Sequence, residues 1–129
     1  MIWVDIVGLL AVVQLFVFGT LVGRARGMYG VAAPATTGHP VFERYYRVQM
    51  NTVEALLVFL PGLYLGARYW SPKYAAILGV IYLIGRVIYL VAYVSDPKKR
   101  SLGFSLSMVP AVVLVIAALV GAIRAALQS

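Results

Sequence analysis

Four apolar segments occupy most of this chain of 129 residues. Each is close to the length of about 20 residues that an α-helix needs to cross the hydrocarbon core of a bilayer. Backbone N–H and C=O groups find no water there, so the chain crosses as helices, whose hydrogen bonds are internal. The sequence therefore predicts an all-α, integral multi-pass membrane protein, a four-helix bundle that forms a single domain. The domain covers residues 1–129, with transmembrane helices at approximately 2–23, 43–70, 73–95 and 102–127.

The composition excludes a soluble domain and several kinds of site. Hydrophobic residues make up 63% of the chain, whereas a soluble domain contains about 45 to 50% apolar residues. The chain has no cysteine, which excludes a disulfide, a thiolate metal site and a cysteine nucleophile. His39 is the single histidine, and only four carboxylates are scattered along the chain. We therefore expect no metal cofactor.

Positive charge is concentrated in two of the predicted loops. A net charge of +7 in a soluble chain would indicate nucleic-acid binding. In a membrane protein, basic loops remain in the cytoplasm and contact anionic lipid headgroups. We therefore expect both termini outside the cytoplasm, with membrane lipid and no nucleic acid as partner. The two clusters are Arg24, Arg26, Arg44 and Arg47, and Lys98, Lys99 and Arg100.

A polar stripe is predicted on the second helix. Its residues are spaced to lie along one face of a helix, and they are Arg44, Arg47, Asn51 and Glu54. The step from Arg47 to Glu54 spans roughly 10 Å. Arginine binds carboxylates, asparagine both donates and accepts, and glutamate can hold an ammonium group. The stripe thus suits a small elongated zwitterion. The alternative is an internal ion pair of Arg47 or Glu54, or hydrogen bonds between helices, that holds the bundle together.

A second stripe, on the third helix, contains Tyr82, Arg86, Tyr89 and Tyr93. Two interpretations of Tyr89 and Tyr93 remain open, contact with a ligand or packing and anchoring at the membrane interface. Arg86 has a structural alternative as well, because an ion pair with Glu54 across the helices would neutralise both charges.

Arg100 follows the third helix, beside Lys98 and Lys99. We interpret the two lysines as a topology signal. A fixed cation at the rim of a polar cavity favours the thiolate form of a thiol, as neighbouring cations do for cysteine. This predicts that Arg100 activates a ligand thiol.

Two blocks of sequence together resemble the MAPEG family, the membrane-associated proteins in eicosanoid and glutathione metabolism, in particular its microsomal glutathione S-transferases. The likeness extends over nearly the whole chain. A lone Arg-x3-Asn motif would be weak evidence for the family. Both blocks together, at this separation and within four hydrophobic segments, are specific for it. The blocks are Phe42-Glu43-Arg44-Tyr45-Tyr46-Arg47-Val48-Gln49-Met50-Asn51-Thr52-Val53-Glu54, and Arg86-x2-Tyr89-x3-Tyr93 followed by Pro97-x2-Arg100.

The resemblance implies a homotrimer of four-helix protomers, with glutathione bound near the cytoplasmic side between neighbouring subunits. One subunit would hold most of the tripeptide, the adjacent subunit would contribute two more side chains, and a lipophilic substrate would enter along a lipid-facing cleft. Carried over by position, the holding residues are Arg47, Asn51, Glu54, Tyr89 and Tyr93, those of the adjacent subunit are Arg26 and Gln49, and Arg100 would stabilise the sulfur as thiolate.

Two positions depart from the leukotriene-forming branch of the family. Ala55 stands where that branch has a tyrosine, and Gly27 where it has a second consecutive arginine. The expected activity is therefore a broad one, in which glutathione is conjugated to lipophilic electrophiles and lipid hydroperoxides are reduced by a peroxidase activity. The alternatives are a non-catalytic scaffold that binds lipid or glutathione, as in one branch of the family, and a small proton-coupled transporter that uses Glu54. The expected location is a bacterial inner membrane, with the active site facing the cytoplasm.

Overall fold

A computed structural model describes residues 1–129 and contains four long helices and no strand. All four are long and apolar enough to cross a membrane. The predicted all-α, four-helix membrane architecture is therefore confirmed. The helices are α1 (Ile2–Tyr29), α2 (Pro40–Tyr69), α3 (Pro72–Ser95) and α4 (Ser101–Gln128).

The first helix is longer than predicted. α1 continues past residue 23 to Tyr29 and ends at Gly30, which has a φ of 67° and donates its N–H to the Arg26 carbonyl oxygen. A left-handed glycine is a common helix stop, whereas arginines in the preceding turn do not interrupt helical hydrogen bonding. Arg24 and Arg26 therefore lie within the last turns of α1 and not in the loop that follows it.

A tight 3-10 turn, Pro97–Lys99, joins α3 to α4. The Asp96 side chain accepts a hydrogen bond of 3.1 Å from the Lys98 N–H, which fixes the start of this turn. From α2, Arg44 donates to the carbonyl oxygen of Val94 at 3.0 Å and so satisfies a carbonyl near the end of α3. These contacts stabilise the end of α3 and the turn, and Arg100 directly follows this turn.

α3 and α4 approach each other through glycines. A Cβ atom added at Gly103 would lie 2.3 Å from the backbone nitrogen of Tyr89, and one at Gly85 would lie 2.6 Å from the backbone nitrogen of Ser107. Small residues allow membrane helices to pack at such short separations. Gly103 therefore brings the first turn of α4 directly against Tyr89.

The main core lies between the helices, and large apolar side chains cover the outside. Within the core, the rings of Phe59 and Tyr82 stack with centroids 3.8 Å apart. On the outside, Phe16 is 76% exposed and Leu57 is 73% exposed. An apolar exterior is a liability in water but is well solvated by lipid. Together with the four helix lengths, this exterior identifies an integral, multi-pass membrane protein.

Trp70 connects the end of α2 to α4 through a hydrogen bond and a cation–π contact. Its indole N–H donates to the Ala117 carbonyl oxygen at 2.6 Å, and the Arg124 guanidinium lies 5.2 Å from the centroid of its ring. We expect Trp70→Phe to lower the free energy of unfolding by about 0.5 to 1.5 kcal/mol, since one hydrogen bond is lost while the ring is kept. Thermal unfolding in detergent measures this loss. The exposed Tyr74→Phe serves as control, and equal stability of the two variants would contradict the assigned role.

Candidate functional site

A polar cavity of about 570 Å³ opens between α2, α3 and α4, at the end of the bundle that carries the 3-10 turn. It is lined by five of the eight residues that the sequence indicates as site residues. Three further lining residues come from the first turns of α4. The five are Arg47, Asn51, Tyr89, Tyr93 and Arg100, and the three are Ser101, Phe104 and Ser105.

The cavity carries positive charge. Arg47 on α2 and Arg100 before α4 both line it and are both exposed, and none of the lining residues is acidic. Two guanidinium groups without a neighbouring carboxylate favour an anionic ligand, since arginine binds carboxylates in a bidentate manner.

An aromatic wall forms one side of the cavity. The ring centroids of Tyr89 and Tyr93 are 5.5 Å apart, and Phe104 lies 6.4 Å from Tyr89. The side chain of Tyr89 is buried, and that of Tyr93 is half-buried. Both tyrosines line the cavity, and both also pack with Phe18 and Val48 in an apolar cluster, so both interpretations of these side chains stay open. This wall of the cavity is part polar and part apolar.

Ser101, Phe104 and Ser105 were not expected to line the cavity. Counted from Ser101 they lie at i, i+3 and i+4, so they occupy one face of the first turns of α4. That spacing is visible in the sequence, but it does not indicate that this face lines a cavity. Ser105 also lines an apolar groove of about 380 Å³ between α3 and α4, so the polar cavity and the groove meet at this residue.

Arg86 pairs with Asn51 and not with Glu54. The Arg86 side chain is completely buried, and its Nη1 and Nη2 donate to Asn51 Oδ1 at 3.0 and 2.9 Å. Glu54 is exposed instead. The proposed ion pair between Arg86 and Glu54 is therefore wrong, because Asn51 occupies the face of α2 that meets α3 whereas Glu54 faces outward.

Three site residues predicted from the sequence do not line the cavity. Arg26 donates to the Ala35 carbonyl oxygen at 2.6 Å and lies 4.8 Å from the ring centroid of Phe42, so it holds the loop between α1 and α2. Gln49 is half-buried against α1, and Glu54 is exposed on α2.

Comparison with known proteins connects this geometry to a family. The model of the MAPEG family matches residues 5–120, which is most of the chain. The chain belongs to the MAPEG family. This finding confirms the resemblance inferred from the two sequence blocks, both of which fall within the matched residues.

Several relatives of this MAPEG protein cover most of its length. An uncharacterized protein of Synechocystis sp. is 46% identical over 119 residues, which span 92% of this chain and 87% of that protein. Microsomal glutathione S-transferase 2 of Homo sapiens is 40% identical over 102 residues, 79% of this chain and 69% of the human protein. Leukotriene C4 synthase of Cavia porcellus is 38% identical over 102 residues, 74% and 68% of the two chains.

Proposed function

We propose that this MAPEG protein is a membrane-bound glutathione S-transferase that conjugates glutathione to lipophilic electrophiles. The observation that carries the proposal is the cavity that joins Arg47, Asn51, Tyr89, Tyr93 and Arg100. The similarity to a glutathione S-transferase and to a leukotriene C4 synthase supports the same class of reaction. In this proposal, residues 1–129 form one membrane domain, and the site is completed by side chains of a neighbouring subunit.

Glutathione matches the chemistry of the cavity. It is an elongated tripeptide with two carboxylates, one ammonium group and one thiol, so its net charge at neutral pH is negative. Arg47 offers a fork of donors to a carboxylate, Asn51 adds an amide, and the tyrosines add hydroxyl groups and ring faces. In this proposal, Glu54, which lies on the outer face of α2, binds the ammonium group of glutathione.

Exposed residues on α2 support association with further copies of the chain, and membership of the MAPEG family suggests a homotrimer. Glu54 is exposed within the span of α2, where an uncompensated carboxylate in lipid is costly, and Leu57 beside it is 73% exposed. A second copy of the chain packed on this face would cover both residues. In the arrangement that the resemblance to the family implies, that copy would also contribute its own Arg26 and Gln49 to the rim of the cavity.

The proposed mechanism rests on formation of a thiolate. Arg100 lies at the N-terminus of α4, whose unpaired N–H groups add partial positive charge. This field stabilises the sulfur anion after the thiol has released its proton to solvent. The sulfur lone pair then forms a bond to the electrophilic carbon, and the leaving group departs with the electrons of the broken bond. In this mechanism, holding the thiolate and the electrophile in the right orientation supplies a large part of the rate enhancement.

The second substrate enters from the bilayer through the apolar groove that meets the cavity at Ser105. Electrophiles dissolved in lipid would reach the sulfur without crossing water. The same route admits lipid hydroperoxides. There, the thiolate attacks the O–O bond, and a second glutathione completes the reduction to the alcohol, water and glutathione disulfide. The proposed location is a bacterial inner membrane with this cavity facing the cytoplasm.

The departures from the leukotriene-forming branch have different structural settings. Ala55 is buried in the main core, so the position contributes packing and no hydroxyl group. A Cβ at Gly27 would have nothing within 4 Å, so this position leaves open space where the other branch has an arginine. Neither position supplies a polar group to the cavity, which supports a broad transferase over a leukotriene synthase.

Glutathione binding to the detergent-purified protein tests the proposal. We expect a thiolate absorbance in the ultraviolet at neutral pH and formation of a thioether with an activated aryl chloride. Arg47→Ala should weaken glutathione binding by about 10- to 100-fold, because a charge-assisted hydrogen bond is lost. Arg124→Ala, an exposed arginine over Trp70 at the other end of the bundle, is the matched control and should bind normally.

Other outcomes separate the alternatives. Glutathione binding without any thioether product would favour the non-catalytic scaffold. Proton-coupled uptake into vesicles that disappears in Glu54→Gln would favour the transporter. Absence of both binding and thiolate absorbance would refute the transferase.

A further inference from the structure

Arg86 is a buried cation with no carboxylate partner. Its side chain is fully inaccessible, and it does not line the cavity. Burial of a charge away from water is unfavourable, and apolar residues often stabilise a protein equally well in such a position. Its Nε atom has no hydrogen-bond partner. The guanidinium group is therefore not explained by its contribution to stability.

The hydrogen bonds of Arg86 determine which way the Asn51 amide faces. Both terminal nitrogens of the guanidinium donate to Asn51 Oδ1, at 3.0 and 2.9 Å. A guanidinium group is only a donor, so it can be met by the amide oxygen and not by the amide nitrogen. Asn51 also lines the cavity. With its oxygen held by Arg86, the group that Asn51 has left to offer a ligand is its NH2.

Arg86 also contacts a second wall of the cavity. Its guanidinium carbon lies 4.4 Å from the ring centroid of Tyr89, within the range of a cation–π interaction. One buried side chain on α3 therefore fixes both a hydrogen-bonding group on α2 and an aromatic ring on α3. Both belong to the cavity lining.

We propose that Arg86 is a positioning residue for glutathione, which holds Asn51 with its amide NH2 available to a carboxylate or carbonyl oxygen of the tripeptide and holds the Tyr89 ring beside it. This inference rests on the proposed function. Arg86 itself touches neither glutathione nor the sulfur. Its effect is therefore on glutathione affinity, whereas thiolate formation depends on Arg100.

Glutathione affinity and steady-state kinetics test this role. We expect Arg86→Met to raise the Kd and the KM for glutathione by about 10- to 100-fold, with kcat at saturating glutathione nearly unchanged. Arg86→Lys, which keeps a charge and a donor, should recover part of the affinity. Tyr82→Phe is the matched control, since Tyr82 is equally buried on α3 and its hydroxyl has no partner. It should bind glutathione like the wild type.

Two further variants keep the test informative if Arg86→Met folds poorly. Asn51→Asp retains an acceptor for Arg86 and so preserves the buried contact, but it removes the NH2 group. It should lose affinity as Arg86→Met does. Asn51→Leu should make the affinity much less sensitive to Arg86→Met, since both changes abolish the oriented NH2 donor and only the contact of Arg86 with Tyr89 remains.

The outcomes distinguish the two proposals. A wild-type protein that does not bind glutathione would refute both the transferase and the role of Arg86. If the wild type binds glutathione, normal glutathione affinity in folded Arg86→Met or in Asn51→Asp would overturn the positioning role. That result would not contradict the proposed transferase function. Fully additive losses in the double variant would also overturn the positioning role.

Discussion

Arg100→Ala is expected to lower kcat for conjugation by about 10²- to 10³-fold, the effect of removing one preorganised electrostatic contact to a reacting anion. The side chain is exposed at the cavity rim and held by the tight turn before α4. It is well placed to stabilise negative charge on sulfur. In the variant, glutathione should bind chiefly as the thiol, and the thiolate absorbance should appear only at higher pH.

The variant is measured by thiolate absorbance against pH, with glutathione affinity determined in parallel. Arg100→Lys should retain much of the signal, because an ammonium group also favours the thiolate. Lys99→Ala removes a neighbouring exposed charge that does not line the cavity and should leave the signal intact. Equal losses of affinity and of thiolate in Arg100→Ala would show that Arg100 binds the ligand without activating it.

Gly103→Ala is expected to destabilise the protein by about 3 kcal/mol or more, at the upper end of the cost of overpacking. The added Cβ would lie 2.3 Å from the Tyr89 nitrogen and 2.5 Å from its Cα. Backbone atoms cannot turn aside as the end of a side chain can, so α3 and α4 must separate. The separation would also move Tyr89 and Arg100 apart and reduce glutathione binding in any protein that still folds.

Thermal unfolding in detergent and glutathione affinity measure the effect of Gly103→Ala. Gly23→Ala is the matched control, because Gly23 is also helical but a Cβ there would have nothing within 4 Å. Alanine is the better helix former, so this control should be as stable as the wild type or more so. Similar melting temperatures for the two variants would contradict the close packing of α3 on α4.

The helices and half of the cavity follow from periodicity in the sequence. Apolar length predicts the four spans, and helical spacing places Arg47 with Asn51, and Tyr89 with Tyr93. The partner of Arg86 does not follow, because Asn51 and Glu54 are one turn apart on α2 and the crossing of α2 with α3 selects between them. That crossing depends on the tertiary packing of the helices.

The expected roles of Arg26 and Gln49 depend on a neighbouring subunit, and the fold of one chain does not place the side chains of that subunit. Arg26 illustrates the difference, since within its own chain it holds the Ala35 carbonyl oxygen. The residues of α4 were missed for another reason. Phe104 and Ser105 belong to a segment whose overall hydrophobicity suggests only a membrane span, and the cavity uses one face of its first turns.

The meeting of the polar cavity and the apolar groove at Ser105 has a consequence for enzymology. In the proposed transferase, a substrate that arrives through the groove would be dissolved in the lipid or detergent phase, so its relevant concentration would be its mole fraction in that phase and not its molarity in the buffer. Adding empty micelles at constant total substrate would slow the reaction by surface dilution, even though glutathione is undisturbed. The reaction rates of different hydrophobic substrates would then depend on their partition coefficients as much as on their chemical reactivity.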